Sequence, residues 1–216
     1  MSKLFKYFAA SLLFMLAGFF AGLMFIPESI VAIANMLWTV ILLVMIICSW
    51  ITKSKRKRGL PRFSIYWVYL FTFVNGILLY PTLMYYLAAL GVILFLNIIL
   101  STFLIFAVMS YIGAKQESGS FIGLSKILYI ALTVLVIMSI VNLFLHIGWL
   151  PILLSAAGIV IFTLYIMVDI NQFKTAEAMG LIRDEKDYSF FILGLFFDFI
   201  NLMLDLLNIA SIVKKD

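Results

Sequence analysis

Apolar residues fill seven long stretches of this chain, and polar residues gather in the short gaps between them. The stretches cover about residues 4–26, 30–52, 64–86, 88–113, 122–146, 149–173 and 189–213. Each exceeds the roughly 18 residues that mark a membrane-spanning helix, and charges within them are few. The pattern predicts an all-α integral membrane protein, a seven-transmembrane helix bundle with residues 1–216 as a single transmembrane domain. Pro27 and Glu28 part the first stretch from the second, and Pro81 and Gly91 mark a short third-to-fourth connection. "AKQESGS" separates the fourth from the fifth, "HIGWLP" the fifth from the sixth, and "KTAEAMGLIRDEKDY" is the longest polar connection between the last two. No stretch is left over for a domain outside the membrane, so function belongs to the bundle.

Composition agrees. Of 216 residues, 66% are hydrophobic and only 12% charged, too little polar surface for a soluble domain of this length. Lys3 and Lys6 precede the first stretch as in a secretory signal, but Leu4–Ile26 is longer than an h-region of about 7–15 residues and is read as a retained helix. The single cysteine, Cys48, excludes an intrachain disulfide and reads as a small buried apolar residue. The formal charge of +5 does not point to nucleic acid, because the basic residues cluster where membrane topology needs them.

The second-to-third connection, "TKSKRKRGLPR", holds Lys53, Lys55, Arg56, Lys57, Arg58 and Arg62 and no acid. Basic residues in short connections mark the cytoplasmic side. Lys3, Lys6, Lys115 and Lys126 agree, so the N-terminus is expected in the cytoplasm. Seven spans then put the C-terminus outside, against the sense of Lys214 and Lys215, and a last segment that dips in and returns is the alternative. The same basic connection attracts anionic headgroups of the bilayer.

Three acids fall within the stretches: Asp169, Asp198 and Asp205. A charge near a helix centre costs about 2.5–3.5 kcal/mol on insertion scales, so such residues line a wet path, pair, or do chemistry. In "FFDFINLMLDLLN", Asp198, Asn201, Asp205 and Asn208 lie at i, i+3, i+7 and i+10, one stripe of a helix that is apolar elsewhere. That stripe is expected to face the bundle interior. The asparagines alone have a plainer reading as interhelical glue, worth about 1 kcal/mol each. Asp169, in "YIMVDINQFK", and Asp198 each lie about two turns in from the cytoplasmic end of adjacent antiparallel helices. Two carboxylates brought together in a low dielectric cannot both ionise cheaply, so they share a proton and form a switch. Deprotonated, the same oxygens are hard ligands suited to Ca²⁺. Asp205, deeper in the helix, is either a second cation station or the partner of a polar neighbour such as Asn142. His146 sits at a helix end, where an interfacial residue without duty is the plain reading and pH sensing the alternative.

"LYIMVDINQFK" followed by "FFDFINLMLDLLN" resembles the last two helices of the transmembrane Bax-inhibitor motif family, the Bax inhibitor-1-like proteins. "FTFVNGILLYP" and "LSTFLIFAVMSYIGAK" look like its third and fourth helices, and the likeness runs from about Tyr66 onward. The resemblance implies a seven-helix bundle with the C-terminal helix at its centre. It also implies kinship with bacterial pH-sensitive calcium leak channels of the plasma membrane, whose pH sensor is an aspartate pair. Matched residue by residue, that pair is Asp169 and Asp198. An arginine after the second helix engages the pair in the family, and the candidates here are Arg58 and Arg62. Some relatives carry further acids in the second and fourth helices, where this chain has Ile41 or its neighbours and Asn97.

The expected function is therefore a passive cation leak, with calcium the transported ion and no cofactor. Protonation of the Asp169–Asp198 pair gates it, with Asp205 and Asn201 along the ion path. The expected partners are calcium ions, protons and the lipid bilayer. An intramembrane aspartyl protease is disfavoured because the aspartates follow Val168 and Phe197 rather than the residues of the Tyr-Asp and Gly-x-Gly-Asp motifs, and no enzyme activity is expected. A proton-coupled ion or solute transporter is the first alternative, although no internal repeat is visible. A membrane interaction protein that modulates stress or cell death is the second.

Overall fold

The computed structural model describes residues 1–31, 34 and 64–214. Six helices follow in order: α1 (Ser2–Phe25), α2 (Ile65–Leu90), α3 (Val92–Lys115), α4 (Ile122–Leu145), α5 (Leu150–Ala178) and α6 (Glu185–Val213). Each is long and apolar enough to cross a membrane. Residues 28–31 are also helical, and the described residues contain no strand. Helices satisfy their own backbone polar groups, which is why a chain of this hydropathy folds into them. Large apolar side chains such as Phe25, Ile93, Val108, Leu143 and Phe144 point outward, and α4 buries only Leu128. That surface suits lipid and not water, and this is an integral membrane protein.

The helix ends show where charge counting misplaces a boundary. α2 runs through Pro81 to Leu90, so the connection to α3 is Gly91 alone, at φ 74°, a left-handed value that glycine adopts without strain. A proline is tolerated inside a spanning helix because neighbouring groups and local adjustments re-satisfy the backbone it frees. α5 continues through the polar "KTAEA" to Ala178, and α6 starts at Glu185, so the last connection shortens to residues 179–184. Good helix formers carry the helix beyond its apolar part. Asp184 and Asp187 then close the start of α6: Asp187 Oδ2 accepts from the Asp184 N–H (3.2 Å) and Asp184 Oδ1 from that of Lys186 (3.0 Å).

The chain divides into two compact units. One comprises Ser2–Met84 with Asp184–Ile192. In it α1 and α2 cross closely: the backbone of Phe73 lies where a Cβ on Gly18 would be, and that of Met15 where a Cβ on Gly76 would be. Small residues at such a crossing gain dispersion contacts that lipid cannot supply. Val31, Leu78 and Tyr80 form its apolar core with Phe19, Ile26 and Val74, and the Tyr80 hydroxyl donates to the carbonyl of Ile26 (2.6 Å).

The other unit comprises Met1, Tyr85–Arg183 and Leu193–Asp216. Here α5 packs against both α3 and α4. Gly113 of α3 lies directly on the backbone of Met167. Asn171, 1% exposed, donates to the carbonyls of Gly113 (3.2 Å) and Glu117 (2.8 Å) and accepts from the Gly119 N–H (3.2 Å). Lys174 Nζ donates to the carbonyls of Ala114 (3.0 Å) and Gln116 (2.7 Å). These bonds satisfy carbonyls that the end of α3 would otherwise leave unpaired, and they fix the α3–α4 connection to the part of α5 that carries Asp169.

Candidate functional site

The site is a seam between α5 and the later turns of α6, both within the second unit. The two helices run antiparallel in one register. Ser155 stands opposite Asn208, whose Nδ2 donates to its hydroxyl at 2.8 Å. Gly158 stands opposite Asp205, whose carboxylate occupies the place of a Cβ. Asp169 stands opposite Gly194, where a Cβ would lie 2.7 Å from its Oδ2. The arrangement is reciprocal, each helix seating its own aspartate over a glycine of the other. On each helix the glycine precedes the aspartate by eleven residues, which is three turns and returns to the same face. The short carboxylate side chains reach the facing backbone because the glycines leave room.

The same register sets Tyr165 opposite Asp198, and Tyr165 lies within electrostatic reach of both Asp169 and Asp198. Gly194 and Asp198 are one turn apart on one face of α6. The carboxylate of Asp169 is therefore brought to the α6 face that carries Asp198, and the two acids interact electrostatically. Asp198 is 6% exposed and Asp169 partly buried. Asp198 Oδ2 has no hydrogen-bond partner. Arg58 and Arg62, the residues read from the sequence as a latch on this pair, lie outside the described residues.

Asp205 belongs to a second polar cluster. The Tyr86 hydroxyl donates to Asn208 Oδ1 (3.4 Å), Asn208 Nδ2 to Ser155, and Ser155 is hydrogen-bonded to Asp205. The chain ties the end of α2 to α5 and α6. Asn142, the neighbour suggested for Asp205, instead accepts from the Ile147 N–H (3.0 Å), closing the end of α4, where the backbone turns at His146. That is a correction: a residue one turn from a helix end finds the unpaired amide beyond it sooner than a side chain on another helix. The stripe also divides. Asn208 bonds across helices, whereas the amide of Asn201 donates to the Phe197 carbonyl of its own helix (2.8 Å). Among the described residues no three acidic, histidine or cysteine side chains converge.

Reading residue by residue missed Ser155, Tyr86, Asn171 and the two glycines. The glycine-to-aspartate spacing, repeated on both helices, was the signal available in the sequence. Asn171, two residues after Asp169 in an apolar helix, was another.

A family model described as inhibitor of apoptosis-promoting Bax1 matches residues 1–215. The chain is similar to an uncharacterized protein of Helicobacter pylori strain J99, 27% identical over 96% of this chain and 84% of that protein. An uncharacterized protein of Campylobacter jejuni is 30% identical over 95% of this chain and 84% of its own. An uncharacterized membrane protein of Streptococcus pyogenes serotype M6 is 29% identical over 78% and 69% respectively.

Proposed function

The chain belongs to the Bax inhibitor family, and from that premise we propose that it is a passive cation leak across the membrane, carrying Ca²⁺ and gated by a proton shared between Asp169 and Asp198. The observation that carries the reading is the seat of Asp169 over Gly194, one turn from Asp198 on the same face of α6. Two carboxylates held there cannot both ionise cheaply, so proton occupancy decides how much negative charge the seam presents to a cation. With both protons gone, the oxygens are hard donors of the kind Ca²⁺ prefers. Asp205, about two turns beyond Asp198, is the next carboxylate that a cation meets along the seam. In this reading the last helix is the occluding element, Arg58 or Arg62 supplies a cationic latch, and the N-terminus faces the cytoplasm of a bacterial cell. The protein performs no covalent chemistry.

The test is Ca²⁺ flux into liposomes holding the purified protein, from about pH 5 to 8, the range in which a shared carboxylate proton titrates. Wild-type flux is expected to vary with pH and to continue downhill without a proton gradient. A strict need for that gradient would favour a proton-coupled transporter. Asp169→Asn and Asp198→Asn are expected to give flat profiles, and a pH response unaltered in both would remove the gate.

A further inference from the structure

Two buried side-chain polar atoms among the described residues stand without a hydrogen-bond partner, Ser110 Oγ and Asp198 Oδ2. One belongs to a hydroxyl that can donate, the other to a carboxylate that can only accept when ionised. An orphan of either kind is costly in a low-dielectric interior, and each needs a reason.

The packing of α3 sets both at one depth. Phe106, Ser110 and Gly113 lie on the buried face of α3. Gly113 rests on Met167 of α5, and the Asn171 bonds to Gly113 and Glu117 show that the two helices run parallel. Carried three residues back, that register sets Ser110 level with Leu164, next to Tyr165, which faces Asp198. On the other side, Phe103 and Phe106 flank the ring of Phe199 at 4.7 and 5.8 Å between centroids. Carried one turn on, this antiparallel register sets Ser110 level with Gly194, which faces Asp169. The two registers bracket Ser110 within the depth spanned by the acids. Thr102, on the same helix, returns its hydroxyl to the Ile98 carbonyl (2.9 Å), the usual course for a hydroxyl in a spanning helix. Ser110 does not.

We propose that Ser110 is a third member of the acid site, its hydroxyl donating to the ionised Asp198 carboxylate through one bridging water. The inference rests on the proton-switch reading of Asp169 and Asp198 and adds what regulates it. A donor to the ionised form favours that form, so Ser110 sets the pH at which the shared proton leaves. Among the described residues, the other titratable groups facing the acids are Tyr165 of α5 and, behind it, Tyr129 of α4. Lys115 lies over the Tyr111 ring at 5.8 Å and Lys174 is engaged by two carbonyls, so both are committed elsewhere.

The experiment is infrared titration of the protonated-carboxyl stretch in proteoliposomes, the band being assigned by its loss in Asp198→Asn, with Ca²⁺ flux measured on the same preparations. In Ser110→Ala the midpoint of that band is expected to move about one pH unit toward alkaline, the size of one hydrogen bond to a charged group. Ser110→Thr, which keeps the hydroxyl, is expected to hold the wild-type midpoint. Coincident midpoints in wild type and Ser110→Ala overturn the proposal, and so does the lack of any band that Asp198→Asn removes. A band that moves in Ser110→Ala while no preparation conducts supports the role of Ser110 and refutes the leak.

Discussion

Replacing Gly194 with alanine separates the geometry of the acid pair from the integrity of the fold. The added Cβ would lie 2.7 Å from Asp169 Oδ2 and 3.9 Å from its Cγ, with nothing else in its way. The obstacle is the tip of a side chain and not backbone, so the carboxylate yields by several tenths of an ångström, away from α6. A helix-interior glycine-to-alanine change contributes about 1 kcal/mol of stability, and a carboxylate pushed off its rotamer gives back about 0.5–1.5 kcal/mol. Thermal unfolding in detergent should therefore stay within a few degrees of wild type. The pair itself responds more. Moving two charges from about 4 to about 4.5 Å apart at an effective dielectric of about 20 weakens their coupling by about 0.5 kcal/mol, roughly a third of a pH unit. Weaker coupling brings the two ionisation steps closer together, so the pH profile of Ca²⁺ flux should narrow by about that amount. A profile superimposable on wild type at unchanged stability would show that the seat of Asp169 over Gly194 plays no part in gating. A variant that fails to fold would show that the carboxylate cannot yield.

Other changes probe the frame around the pair. Gly113→Ala drives a Cβ into the backbone of Met167, which cannot swing aside, and should cost about 2 kcal/mol or more; Gly123→Ala, with open space around it, should be neutral or stabilising in the same assay. Asn171→Ala takes the side-chain partner from the Gly113 carbonyl and the Gly119 N–H, while the Glu117 carbonyl keeps the N–H and hydroxyl of Ser120, a loss of about 2 kcal/mol, and amide exchange over residues 116–121 should accelerate. Asp205→Asn keeps an acceptor for Ser155 while removing a charge, so the fold should hold and Ca²⁺ flux should fall at every pH without a change in the shape of the profile; a displaced profile would assign Asp205 to the gate.

How much of this was legible beforehand depended on what each residue costs. An acid within a span is expensive, so Asp169 and Asp198 stand out without a structure, and alternating topology sets them at one depth. The glycines that seat Asp169 and Asp205 do not stand out, because glycine is common in spanning helices and carries no penalty. Ser110 does not stand out for a related reason: a serine in a helix ordinarily returns its hydroxyl to its own backbone, and only tertiary packing shows that this one does not. Among the described residues helix positions followed the apolar runs closely, and the second run, about residues 30–52, lies almost wholly outside them. The ends went astray at Pro81 and at "KTAEA", where residue type argued for a break and the backbone had a helical solution.

On the proposed reading, the reciprocal seam also gives the acids at its two ends different duties. Asp205 and Asp169 are related by the same contact seen from opposite ends, each a carboxylate over a glycine. Their surroundings differ. Asp205 terminates a chain of hydrogen bonds through Ser155, Asn208 and Tyr86 that ties together three helices. A satisfied network of that kind resists rearrangement, because breaking any link strands a buried group. At the other end Asp169 shares its face of α6 with Asp198, one oxygen of which has no partner at all. An unsatisfied group gains free energy from any proton, donor or cation that reaches it, so occupancy changes most readily there. On the proposed reading, then, Asp205 is the fixed station of the path and the Asp169–Asp198 end is its switch, and the difference comes from the neutral residues around them and not from the acids themselves.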